Sequence, residues 1–281
     1  MRMRQTRRAL SVALAASSTV AWAGVVATPP HAGVHSYRYE VQEVSPVSTK
    51  GYRTDIRLTS DGHGGAVADL IDSQTYDGKT WTRVTVDPAC AAALHARPGE
   101  LARVTLLPLS PEQAKLGDAF LAPCAPAGVF FPLTDILNVV LIQSSDAFHL
   151  RDLNEVGQSA TFPGFATSID RPEISMTETS SGGSISLAGV EAGRAQVDWK
   201  PDVAKLDLVE KNAGGPAKPF TLSGTEHFAF RVQIDVKTGT LERADTLYDD
   251  LDMTVQVPGA EGPAPRVAIK RIVSLGPMPV M

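Results

Sequence analysis

The chain has 281 residues, of which 43% are hydrophobic, enough to bury a substantial core in one large domain or two small ones. It carries 26 Lys and Arg against 31 Asp and Glu, a formal charge of −5. With no Lys/Arg cluster interleaved with aromatics, that balance excludes electrostatic capture of nucleic acid or of an anionic membrane surface.

The first segment reads as an export signal. Met1 to Arg8 holds four arginines and no acid, Ala9 to Ala23 is apolar and small, and Ala21-Trp22-Ala23 ends it on a small-x-small pattern. This is the order of a secretory signal peptide, cleaved after Ala23. Val25-Val26-Ala27 offers a second cleavage site, and Arg7-Arg8 leaves the twin-arginine route open beside the general one. The apolar run is shorter than a membrane span. No cysteine sits at the cleavage site to take a lipid, and no second long apolar run follows. The expected localisation is therefore exported, periplasmic or secreted from a bacterium, with no integral membrane segment after cleavage. Removal of residues 1–23 leaves 22 basic and 31 acidic residues, a balance of −9.

Residues 24–35 read as a flexible lead-in, and a single β-rich domain is expected over 36–281. From Tyr37 to Val86 the signal is strand. Tyr37, Tyr39 and Val41 alternate with polar neighbours, as do Ile56 and Leu58, and Asp77-Gly78 marks a hairpin turn. Three or four antiparallel strands are expected.

A helical section follows, placed at 88–153. Asp87-Pro88 gives an N-cap with proline at the first helical position, and Ser110-Pro111-Glu112-Gln113 repeats the signal. The run from Thr134 to Gln143 is buried, with helix favoured over strand by Pro132 and Thr134. Cys90 and Cys124, the only cysteines, are expected to form a disulfide inside this section. Their spacing gives neither a Cys-x-x-Cys pair nor a zinc site.

From Gly157 onward the pattern returns to β. Ser181-Gly182-Gly183 and Glu191-Ala192-Gly193 read as turns. In Glu226 to Val236, Phe228, Phe230, Val232 and Ile234 point inward, while His227, Arg231, Gln233 and Asp235 point outward. The next strand places Leu247, Leu251, Met253, Val255 and Val257 on one face. Asp249 breaks that face and so marks a bulge, a sheet rim or a buried polar contact. Val267 to Leu275 is the last strand.

The fold class expected is α+β, predominantly antiparallel: a broad, curved, half-barrel-like sheet with the central helices packed on it. Periplasmic lipoprotein carriers are built on such a plan, a parallel of architecture alone.

No catalytic pattern accompanies it. There is no Gly-x-Ser-x-Gly, no His-Glu-x-x-His, no phosphate-binding loop and no dinucleotide fingerprint. His31 and His35 lack a helix to align them, Asp61 and His63 share a turn without a third group, and His227 lies on a polar face. Asp245, Asp249, Asp250 and Asp252 lack the sharp glycine turn of a calcium loop. No metal and no cofactor are expected. The reading is a non-enzymatic exported protein that binds a lipid or other apolar small molecule. A structural or protein-interaction module of the envelope stands beside it, as does a hydrolase without a recognisable motif. The surplus of apolar side chains in the central section selects Phe130, Phe131, Leu133, Leu137, Val140 and Leu141 as candidate ligand-lining residues.

Overall fold

The computed structural model describes residues 31–63, 66–96, 119, 122–124, 132–133, 135–137, 139, 150–170, 174–211, 219–259 and 261–278. Four strands come first, β1 (Gly33–Val44), β2 (Thr49–Ser60), β3 (Ala66–Tyr76) and β4 (Trp81–Arg83), followed by helix α1 (Pro88–Ala96). Seven more complete the sheet: β5 (Ser159–Asp170), β6 (Ile174–Glu191), β7 (Arg194–Pro201), β8 (Ala204–Glu210), β9 (Phe220–Asp235), β10 (Leu241–Gln256) and β11 (Arg266–Pro277).

All eleven strands join one antiparallel sheet in the order β4-β3-β2-β1-β11-β10-β9-β7-β6-β5, with β8 pairing β6 and β9 beside β7. The chain thus finishes one edge at β4 and resumes at the opposite edge with β5. At about 4.8 Å per strand spacing, residues 84–158 have roughly 43 Å of sheet to cross. The described part of this connection packs on the sheet. Its buried residues Leu94, Leu133, Ile136, Leu137, Leu150 and Leu153 join the same core as Tyr39, Ile56, Val197, Phe230 and Val273 of the strands.

Local chemistry explains the elements. Asp87 Oδ1 accepts the Ala89 N–H at 2.7 Å, capping α1 as its sequence predicts. Cys90 and Cys124 are bonded, with Cα atoms 4.5 Å apart, tying α1 to the 3-10 turn Ala122–Cys124. Pro132, Leu133, Asp135, Ile136, Leu137 and Val139 are helical, as the Pro132 and Thr134 signals predict. At Asp77-Gly78, Gly78 adopts φ +97° and Asp77 Oδ1 accepts the N–H groups of Lys79 and Thr80.

The outer face is laced with cross-strand ion pairs. Arg38 stands opposite Asp55 and Arg53 opposite Glu40, each paired at 2.7 Å, and Arg231 opposite Asp198 repeats the device.

Three expectations change. Regular structure begins at Gly33, three residues inside the predicted lead-in, because Gly33 to His35 already pair with Leu58 to Ser60. Ser181-Gly182-Gly183 is not a turn but the middle of β6. There β6 changes partner, from β8 over Ile174–Thr179 to β7 over Gly183–Glu191. Phe162 lies directly over the step, and a Cβ on Gly183 would come within 2.3 Å of its ring. Gly183 makes room for that ring. Leu247 leaves the inner face and is 41% exposed, because a bulge between Thr246 and Tyr248 shifts the register by one residue.

Candidate functional site

The same bulge sets the site. Beyond it Asp249 points inward opposite Phe228, and is only 1% exposed. Of the alternatives its broken pattern left open, a bulge and a buried polar contact are both present. Glu226 lies two residues before Phe228 on β9 and so shares its face, also buried. Arg271 takes the corresponding place on β11, in the alternation of Val273 and Leu275. Glu178 of β6 and Tyr39 of β1 add to the same region from either side. Above them Asp135 and Val139, four residues apart on one face of a helical segment, look toward the sheet.

These groups surround a cavity of about 110 Å³. Its polar end is acidic. Arg271 Nη1 donates to Glu226 Oε1 at 2.8 Å, Nη2 to Asp135 Oδ2 at 3.1 Å, and Nε stands 3.7 Å from Asp249 Oδ2. The Tyr39 hydroxyl donates to Asp135 Oδ2 at 2.8 Å. One guanidinium therefore serves three carboxyls, and Glu178 has no ion pair among the described residues. Neither oxygen of Asp249 accepts a hydrogen bond, nor does Arg271 Nε donate one. A proton on the carboxyl pair would let Asp249 and Glu226 bond to each other.

The rest of the lining is apolar. Trp199 of β7 stacks on Phe230 with ring centroids 5.8 Å apart and meets Phe228 edge-on at 5.7 Å. Ile169, Met176, Val139 and Val273 close the wall.

Crowding four carboxyls in so small a space costs Coulomb and desolvation energy, and protons relieve it. Burial pushes the Asp249 carboxyl up to about 8, against the pull of Arg271, with Glu226 adding to the rise. Burial, then Glu226, also raises Glu178 well above the carboxylate range. Asp135 is raised by burial despite Arg271 and Tyr39. Its side chain keeps 38% of its exposure, which weakens the effect of burial there. Tyr39 is held firmly protonated by burial and by Asp135, which suits its role as donor.

Of the residues singled out from the sequence, Leu133 and Leu137 are wholly buried in the main core. Their neighbours Asp135 and Val139 line the cavity. Phe130, Phe131, Val140 and Leu141 lie outside the described residues. The Asp61–His63 contact is a local turn, with the His63 N–H donated to Asp61 Oδ1. Among the described residues no group of His, Cys, Asp and Glu is arranged to hold a metal ion, and no helix is long and apolar enough to cross a membrane.

Of the polar half of this site only Asp249 stood out in the sequence. Glu226 and Arg271 carried a usable signal, since each shares the parity of an inward apolar run. Glu178 lies in a serine-rich stretch with no such run. No protein-family model matches the chain, and no curated protein matches it.

Proposed function

We propose that this is an exported, non-enzymatic binding protein of the bacterial envelope. In this reading the sheet acts as a half-barrel, and the space between its concave face and the helical section takes one end of a lipid or other amphipathic small molecule. The observation that carries it is the cavity: an aromatic wall of Trp199, Phe228 and Phe230 beside a cluster of polar groups. Pockets that recognise small ligands combine a mostly apolar lining with a few convergent polar groups. A volume of about 110 Å³ suits a headgroup or a chain end rather than a whole lipid. The remainder would lie outside or displace the helical segment that bears Asp135 and Val139.

Dodecanol, added below its solubility limit, tests the pocket by its effect on Trp199 fluorescence. Saturable binding in the micromolar range is expected. Val139→Trp should fill the cavity and abolish binding while the melting temperature stays within a few degrees of the parent. Absence of binding, with strong destabilisation by Val139→Trp, would show a closed core. It would leave the envelope interaction module as the reading, for which the complete burial of Leu133, Ile136 and Leu137 already speaks.

A further inference from the structure

We infer that the polar end of the cavity is a site for an organic cation, an ammonium group carried on an apolar chain. The inference deepens the pocket reading and rests on it.

Charge comes first. Asp135, Glu178, Glu226 and Asp249 converge on the cavity, and Arg271 is the one cation in its lining among the described residues. Fully ionised, this set has three negative charges in excess. Asp249 is 1% exposed and lines the cavity with both oxygens free of hydrogen bonds. A buried carboxyl in that condition is costly unless it binds a proton or another cation. Arg271 cannot supply what is missing: its two Nη groups are engaged by Asp135 and Glu226, and its Nε is 3.7 Å away.

The kind of cation follows from the rest of the lining. Trp199, Phe228 and Phe230 line it, and aromatic rings attract ammonium groups and suit the methylenes beside them. A divalent metal fits poorly. No metal-binding grouping is present among the described residues, and the guanidinium among the carboxyls would repel a dication. Carboxylates, phosphates and sulfates cannot replace the protons on these carboxyls and meet repulsion wherever the acids are ionised.

Proton release should accompany binding. In the free protein Asp249 is faced by Glu226 of β9, Arg271 of β11, Asp135 of the helical segment, Tyr39 of β1 and Glu178 of β6. With so many acids, protons do the neutralising at neutral pH. An entering ammonium takes their place, so the carboxyl O–H bonds ionise to buffer as the cation docks. Affinity for a permanent cation should therefore rise with pH between about 6 and 9.

Three ligands with the same tail separate the possibilities: dodecyltrimethylammonium, dodecanol and dodecyl sulfate, each below its critical micelle concentration, titrated calorimetrically into the mature protein. The cation should bind at least tenfold more tightly than the alcohol, and the sulfate more weakly than either. Titration of the cation in phosphate and in Tris should give different heats, showing release of about one proton at pH 7. In Asp249→Asn/Glu178→Gln the cation's advantage over dodecanol should vanish. Glu178→Gln alone, if the double variant unfolds, should reduce the advantage severalfold.

Equal affinity for all three ligands would overturn the cation site and leave the apolar pocket standing. No binding of any would overturn both. A cation preference that survives in the variants, or comes without proton release, would overturn the assignment to these carboxyls. Tetramethylammonium distinguishes the natural sources: binding as tight as that of the dodecyl compound indicates a free small amine, and loss of binding without the tail indicates a lipid headgroup.

Discussion

Arg271 on β11 donates to Glu226 on β9 at 2.8 Å, spanning the β10 strand between them. The bond passes over the place where Asp249 of β10 turns inward, so one side chain ties three neighbouring strands on their buried face. A guanidinium in this position neutralises part of an acidic group that burial would otherwise force apart.

Removing that cation should be costly. Arg271→Ala leaves Glu226, Asp135 and Asp249 without their counter-charge, and a loss of about 3–5 kcal/mol is expected at pH 8. The loss should shrink at pH 5, where the orphaned carboxyls can protonate. Urea denaturation at the two pH values measures both. A loss equal at both would show that Arg271 acts through packing alone.

Stability should fall as pH rises from 5 to 9. The folded carboxyl of Asp249 holds its proton up to about 8, far above its ordinary value of 3.8. Its stabilising contribution is complete below the unfolded value and disappears as pH passes the folded one. Glu178 and Asp135, also raised, act in the same sense. Asp249→Asn cannot ionise. It should flatten the dependence and melt several degrees above the parent at pH 9. Differential scanning calorimetry of the two proteins from pH 5 to 9 decides the matter.

The disulfide closes a loop of 34 residues in sequence separation. Cys90→Ser/Cys124→Ser should lose roughly 3–4 kcal/mol on the chain-entropy account. Chemical unfolding with and without reductant gives the comparison, and thiol labelling of the unreduced, denatured protein should find no free cysteine.

Phe230→Ala should cost about 3–5 kcal/mol by opening a void beside Trp199. Gln233→Ala, on the outer face of the same strand, should change stability by no more than about 0.5 kcal/mol. Equal urea midpoints would contradict the facing of β9.

Elements whose signal is local were legible in the sequence. Phe228 to Ile234 alternate cleanly, Asp87 caps α1, and Asp77-Gly78 turns. Legibility failed where the answer depends on a partner strand. Nothing in Thr246 to Tyr248 announces a bulge, yet it moves Leu247 outward, and only register across β9 reveals it. The Ser181-Gly182-Gly183 run has turn composition, but Phe162 from β5 needs the space over Gly183 in an extended strand. The apolar half of the site could be expected from its aromatics. Of the acidic half only Asp249 stood out, since Asp135, Glu178, Glu226 and Asp249 meet only when four elements are brought together.

The neighbour of β1 is β11, with Tyr37 opposite Pro277 and Val44 opposite Lys270. Until that last strand has been synthesised, β1 to β4 and β5 to β10 have no common seam, and two raw edges face solvent. Such long-range pairing makes assembly slow and leaves the half-made chain prone to sticking to itself. Closure of the sheet is therefore a single late event that waits for β11.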